Sequence, residues 1–160
     1  MAASVMRGGS EILSSAVHGQ ASVHAPYGGV VPELASRDHV RVVSEIAKAA
    51  LSEAGMDISA IDGIAVTAGP GLMGSLLVGL SFAKALAYSN QIPVVWVHHL
   101  AGHFVAAEVA AGGGADAGAD PLEPPYCGLV LSGWHTALHR RVNEGHPSLL
   151  GVKPGDPAGE

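Results

Sequence analysis

The sequence predicts an α/β fold, a mostly parallel sheet flanked by helices, and three observations carry that expectation. First, two β-then-α units follow one another. A short apolar run at 63–67 precedes a helical stretch at 75–88, and a β-branched and aromatic run at 94–97 precedes an Ala-rich segment after His99. Successive units of this kind favour parallel strands with helices on the faces. Second, Val40, Val43, Ile46, Ala47, Ala50 and Leu51 recur at three- and four-residue steps, the period of an amphipathic helix. Third, 160 residues with 48% apolar but only 4% aromatic content suffice for one domain with a core of Val, Leu, Ile and Ala.

The elements follow in order. Residues 11–17 read as a strand, and His24-Ala25-Pro26-Tyr27-Gly28-Gly29 as a loop. Pro32 suits the first turn of a helix continued by 33–38, and 39–54 is the amphipathic stretch, ended by Gly55. Residues 57–62 form a connecting turn. The run from Ile64 to Ala83 carries no charge and is long enough to span a bilayer. Gly69-Pro70-Gly71 interrupts it as a turn, so it divides into a strand and a buried helix. Residues 111–121, rich in Gly and Ala, read as a flexible surface loop. A buried strand at 127–131, an exit turn at 132–136 and a returning strand at 137–142 follow. The tail at 153–160 has no periodicity.

Composition excludes some functions. Net charge is −6, with 8 Lys and Arg against 14 Asp and Glu, so the chain does not hold nucleic acid by charge alone. Arg140-Arg141 is a local basic candidate, or simply a solvated edge. Cys127 is the one cysteine, so no internal disulfide forms, which fits a reducing, cytoplasmic setting. A buried structural role is expected for it in preference to catalysis. The N-terminus lacks a charged-then-apolar signal pattern.

Three segments leave the ends of expected strands: 68–74, 98–103 and 132–136. In an open parallel sheet, ligands bind beyond the carboxyl ends of the strands. The first segment is Gly-rich and opens a helix, so its backbone N–H groups could receive an anion; equally, its glycines could serve only a tight turn and close packing. It lacks the Lys-Ser/Thr ending of a P-loop. His99 and His103 lie four apart, on one face of a helix, and could grip one metal ion; they read equally as ordinary surface or core histidines. Ser132 and Gly133 could present backbone donors to a phosphate, and His135 could contact a ligand. Glu33 and Arg37, one turn apart, could pair on the surface or face the cleft.

Four ordered motifs carry a resemblance. Tyr27-Gly28-Gly29-Val30-Val31-Pro32-Glu33-Leu34-Ala35-Ser36-Arg37-x-His39 is the first. Pro70-Gly71-Leu72-x-x-Ser75-Leu76-x-Val78-Gly79, Ala83-Lys84-x-Leu86-Ala87 and His98-His99-x-x-Gly102-His103 follow. Together they strongly resemble the TsaD/Gcp family of tRNA N6-adenosine threonylcarbamoyltransferases, from about Leu13 to Glu160. The resemblance implies the N-terminal lobe of an actin-like ATPase fold of the sugar-kinase/Hsp70 type, in residues 1–160 as one partial domain with the second lobe absent. It implies transfer of a threonylcarbamoyl group from threonylcarbamoyl-adenylate to N6 of adenosine 37, in tRNAs that read codons beginning with A. It implies one divalent metal ion per subunit, iron or zinc, on His99 and His103. It implies substrate contacts from Val130, Leu131, Ser132, Gly133 and Trp134, and protein partners of the TsaB-like and TsaE-like kinds, without a membrane. The alternative is an inactive truncated or diverged lobe that serves as a protein-binding module in the same complex.

The chain departs from the family pattern at three points. Residues 1–7 show nothing like the strand and Gly-Ile-Glu-Thr-Ser-Cys-Asp-Glu segment that opens the family. The family's second lobe supplies an Asp as third metal ligand, whereas this sequence ends Asp156-Pro157-Ala158-Gly159-Glu160. The family turn Ser-Gly-Gly-His-Thr reads Ser132-Gly133-Trp134-His135-Thr136, which puts an indole where backbone is expected to approach a ligand.

Overall fold

The computed structural model describes residues 1–9, 11–113, 122–131, 136–143 and 147–153. The chain divides into two compact units, Met1–His99 and Leu100–Glu160.

The first unit opens with an antiparallel hairpin. Strand β1 (Ala2–Arg7) pairs with β2 (Glu11–Val17) from Ala2 opposite Val17 to Arg7 opposite Glu11. Residues 1–7, where no opening strand is expected, thus do form one. Its pattern is weak in β-branched residues, and β2 supplies the order through pairing. Gly8 and Gly9 turn the chain at φ of 59° and 80°, a region that side chains disfavour. The loop expected at 24–29 is partly helical: α1 (Ala21–His24) runs into a 3-10 turn, Ala25–Tyr27.

Helix α2 (Pro32–Glu53) is one continuous element, with Pro32 in its first turn. Its apolar face closes on the hairpin. Val5, Ala16 and Ala50 form the buried centre, with Leu13, Ile46, Met56 and Ile61 packed around them. Ser14 ties the layers: its Oγ accepts from the Val5 N–H at 3.2 Å and donates to the Ala50 carbonyl at 2.7 Å. Both the hydroxyl and the helix carbonyl are thereby satisfied inside the core.

The segment without charge behaves as the Gly-Pro-Gly interruption requires. Strand β3 (Ile64–Gly69), helix α3 (Met73–Asn90) and strand β4 (Val94–His98) form a β-α-β unit, with β3 parallel to β4 from Ile64 opposite Val94. Helix α3 is less covered than expected. Ala83 and Ala87 are buried, whereas Met73, Leu77 and Tyr88 are 71%, 53% and 89% exposed. Among the described residues, α3 packs against α2, β3 and β4.

Helix α4 (His99–Gly113) begins where β4 ends. Residues 111–113, expected as loop, complete this helix, and 114–121 lie outside the described residues. The second unit holds an antiparallel sheet of β5 (Tyr126–Leu131), β6 (Thr136–Arg141) and β7 (Ser148–Lys153), in that order. Strand β7 has no counterpart in the sequence reading.

The α/β class holds, but the mostly parallel sheet does not. Among the described residues there are three separate sheets, and one of the four strand pairings, β3–β4, is parallel. The connections between paired strands account for this. The long crossover through α3 sets β3 and β4 parallel, whereas the short connections between β1 and β2, β5 and β6, and β6 and β7 return the chain antiparallel. Among the described residues no helix is long and apolar enough to cross a membrane.

Candidate functional site

At the carboxyl edge of the parallel pair, Gly69 of β3 stands opposite His98 of β4. The segments at 68–74 and 98–103 therefore leave from neighbouring strand ends, the arrangement that places ligands in open α/β sheets. Helix α3 starts at Met73 with Leu72 as N-cap, and no side chain caps it. Its first N–H groups have no acceptor within the helix and carry the positive end of its dipole.

His99 and His103 both lie in α4, one turn apart and both exposed. Helical geometry thus gives the pair the spacing of two donors to a single ion. Among the described residues no group of three His, Cys, Asp or Glu side chains is placed to hold a metal. The two imidazoles fit part of a metal's donor set.

The third segment is only partly described. Val130 and Leu131 are in β5, opposite Ala137 and Thr136, with Leu131 57% exposed. Ser132, Gly133, Trp134 and His135 lie outside the described residues.

The first unit also holds a polar network that sequence reasoning missed. Asp38 of α2 is buried, at 7% exposure. Its carboxylate accepts from Arg41 at 2.7 Å, from the Gln20 amide at 2.9 Å, and stands 2.7 Å from His18 Nε2. The Arg41 guanidinium first, then the Gln20 amide, hold this carboxyl well below the usual carboxylate range. Loss of solvent opposes them, and His18 adds to the lowering. His39 Nδ1 donates to the Ala35 carbonyl at 2.7 Å. Beside this network lies an open cavity of about 640 Å³, bordered by Gln20, His24, Val30, His39, Leu72 and Ser75. The pattern of apolar periodicity does not reveal such sites, because buried polar groups interrupt no period. Glu33 and Arg37 do pair, at 2.6 Å, with both side chains 73% exposed, so they lie in solvent.

In the second unit, Glu108 of α4 joins two strands. It accepts from the Tyr126 hydroxyl at 2.6 Å and from Arg141 Nη2 at 3.1 Å. Burial first, then the bond to Glu108, pushes the Tyr126 phenol up to about 12. Arg141 is thus a buried anchor at 7% exposure, not a solvated edge. Its position on β6 alternates with exposed Arg140, so the two face opposite sides of the sheet. Cys127, expected buried, is exposed for the same reason: it alternates with Tyr126 and Gly128 on β5. Phe104 of α4 packs edge-on to His139, centroids 5.3 Å apart, and covers Gly128.

Comparison with known proteins adds the following. A family model described as TsaD, tRNA N6-adenosine threonylcarbamoyltransferase, matches residues 11–151. A protein of that name from Syntrophobacter fumaroxidans is 50% identical over 159 residues, 99% of this chain and 44% of its own length. One from Trichlorobacter lovleyi is 46% identical over 159 residues, with the same 99% and 44% coverage. The chain therefore spans less than half the length of these relatives. Among solved structures, YeaZ from Pseudomonas aeruginosa superposes with a TM-score of 0.47 and 25% identity, over 72% of this chain and 54% of its own.

Proposed function

The chain belongs to the tRNA N6-adenosine threonylcarbamoyltransferase family, and from that premise we propose that it takes part in the reaction the family is named for. The threonylcarbamoyl group passes from threonylcarbamoyl-adenylate to N6 of adenosine 37, in tRNAs reading codons that begin with A. The N6 amine attacks the carbamoyl carbon, the carbon–oxygen bond to the phosphate breaks, AMP leaves, and N6 gives up a proton. The observation that carries the reading is the continuous match over residues 11–151, which includes both segments at the carboxyl edge of the parallel pair.

Each segment has a task in this reading. The N-terminus of α3 offers positive potential to the substrate's negative charges. Val130 and Leu131, with Ser132, Gly133 and Trp134, contact the adenylate. His99 and His103 are two ligands of a divalent ion, iron or zinc, and their spacing within α4 supports this. Such an ion supplies Lewis-acid polarisation of a carbonyl. The tRNA presents its adenine from a single-stranded loop, where a base edge is accessible to protein. TsaB-like and TsaE-like proteins are the proposed partners, and the cytoplasm the proposed location.

Two measurements test the proposal. Purified chain, given threonylcarbamoyl-adenylate and an unmodified tRNA that reads A-initial codons, should yield threonylcarbamoyladenosine detectable by mass spectrometry of nucleosides. Metal analysis of the same protein should show bound iron or zinc that is lost in the His99→Ala/His103→Ala double variant. Equal metal content in both proteins removes the ligand assignment. Absence of product together with tight binding to a TsaB-like protein would favour the binding-module reading.

A further inference from the structure

Two residues that border the cavity beside α2 and α3 each hold a buried polar atom without a hydrogen-bond partner among the described residues. His24 is 8% exposed, and its Nε2 is buried without a hydrogen-bond partner. The other ring nitrogen is committed: the Val31 N–H donates to His24 Nδ1 at 3.3 Å. An imidazole nitrogen that accepts a proton-bearing group carries none itself, so the neutral ring bears its proton on Nε2. The orphaned atom is therefore a donor. The second is Ser75 Oγ, also buried and unpartnered, in the first turn of α3. Both residues border the same cavity of about 640 Å³, as does Leu72, the uncapped start of that helix.

These features share one polarity. An imidazole N–H, a hydroxyl and the N-terminal end of an 18-residue helix all present positive potential. Among the described residues, no Asp or Glu borders the cavity. The nearby Asp38 is occupied by Arg41, Gln20 and His18. The rest of the lining is mainly apolar, with Ala21, Ala25, Val30 and Leu72.

We propose that this cavity is an oxyanion subsite that takes a carboxylate or phosphate group of a small-molecule substrate through His24 Nε2–H, the Ser75 hydroxyl and the start of α3. The subsite rests on the proposed function only for the identity of its ligand, since threonylcarbamoyl-adenylate carries both a carboxylate and a phosphate.

The test is binding followed at His24 by NMR of the full chain with labelled histidine. Three probes are titrated: N-carbamoylthreonine for the carboxylate, inorganic phosphate for the phosphate, and N-carbamoylthreonine amide as the neutral control. The His24 Nε2–H resonance should move saturably with one of the two anions and stay still with the amide. Which anion moves it identifies the group held. By titration calorimetry with the anion that moves the resonance, His24→Phe, which keeps an aromatic ring without the donor, should weaken binding about tenfold, the scale of one charge-assisted hydrogen bond. His24→Gln restores an N–H donor and should recover most of that loss. Should His24→Phe fold poorly, Ser75→Ala, a smaller change, should still weaken binding several-fold. A resonance unmoved by both anions, moved equally by the amide, or titrating identically in Ser75→Ala overturns the subsite. The readout needs no transfer activity. A chain that binds the anion but makes no product disproves the reaction alone, and one that makes product without this binding disproves the subsite alone.

Discussion

Two carboxylates organise the two units of this chain in opposite ways. Asp38 is buried, but its strongest partner, Arg41, is 70% exposed and remains solvated. Glu108 is itself more accessible, at 21%, yet its partner Arg141 is 8% exposed. In the first unit the cation stays in water and only the anion is removed from it. In the second the cation is enclosed, and the carboxylate reaches in to neutralise it. The cost of breaking a pair is set by whichever charge is left without water. Loss of the exposed Arg41 leaves Asp38 still held by Gln20 and His18, so the first unit should tolerate it. Loss of Glu108 removes the carboxylate that neutralises an enclosed guanidinium, and the second unit should not tolerate that.

The largest expected effect comes from removing the carboxylate that neutralises the buried Arg141 guanidinium. Glu108→Ala should lower stability by about 3–5 kcal/mol, the range for breaking a buried pair. Chemical denaturation followed at Tyr126 would measure it, and a loss below about 1 kcal/mol would dissolve the contrast between the units. Next comes packing behind the same helix. A methyl group at Gly128 would sit 2.1 Å from Phe104 Cε1, closer than carbon atoms approach. Gly128→Ala should cost about 1–3 kcal/mol by overpacking. Phe104→Leu in the same background should recover part of that loss.

Proton linkage sharpens the comparison from both ends of the pH scale. Tyr126 has a raised folded pKa, about 12, against the ordinary value of 10. Its stabilising contribution is complete below pH 10 and is lost as pH rises from about 10 to about 12. An alkaline melt should show that slope in wild type and lose it in Tyr126→Phe. Asp38 has the reverse sign. Its folded pKa is depressed, so its contribution is present above the unfolded value of about 3.9 and is lost as pH falls below it. Asp38→Asn should flatten the acid limb of an unfolding titration in that window. The smallest effect belongs to the surface pair. Arg37→Ala should change stability by less than about 0.5 kcal/mol, measurable by thermal melt at two salt concentrations.

The β-α-β unit was legible because its signals are local. Gly69-Pro70-Gly71 cannot continue a helix, and the flanking runs have distinct periods, so β3, α3 and β4 fall within a few residues of their expected bounds. Strands β1 and β7 were not, because Ala2-Ala3-Ser4 and Leu149-Leu150-Gly151 gain strand order from partners distant in sequence. The His99 and His103 pair was visible as an i, i+4 spacing. His24 and Asp38 were not, since a buried imidazole or carboxylate leaves no trace in an apolar pattern. Their partners come from other segments: the Gln20 amide meets Asp38, and the Val31 N–H meets His24. Chemistry written in spacing is readable from one chain; chemistry written in convergence is not.

The two pairings of the first unit also differ in how far the chain must travel to make them. Arg7 meets Glu11 across a tight turn, whereas Ile64 meets Val94 only after the whole of α3 has been threaded between them. Closing a long loop costs more chain entropy than closing a short one, and hairpins form in about 1–10 μs. During refolding, amide protection should thus arise in β1 and β2 before β3 and β4. The strand ends that carry the candidate chemistry would be the late-maturing part of this unit, assembled on a hairpin already in place.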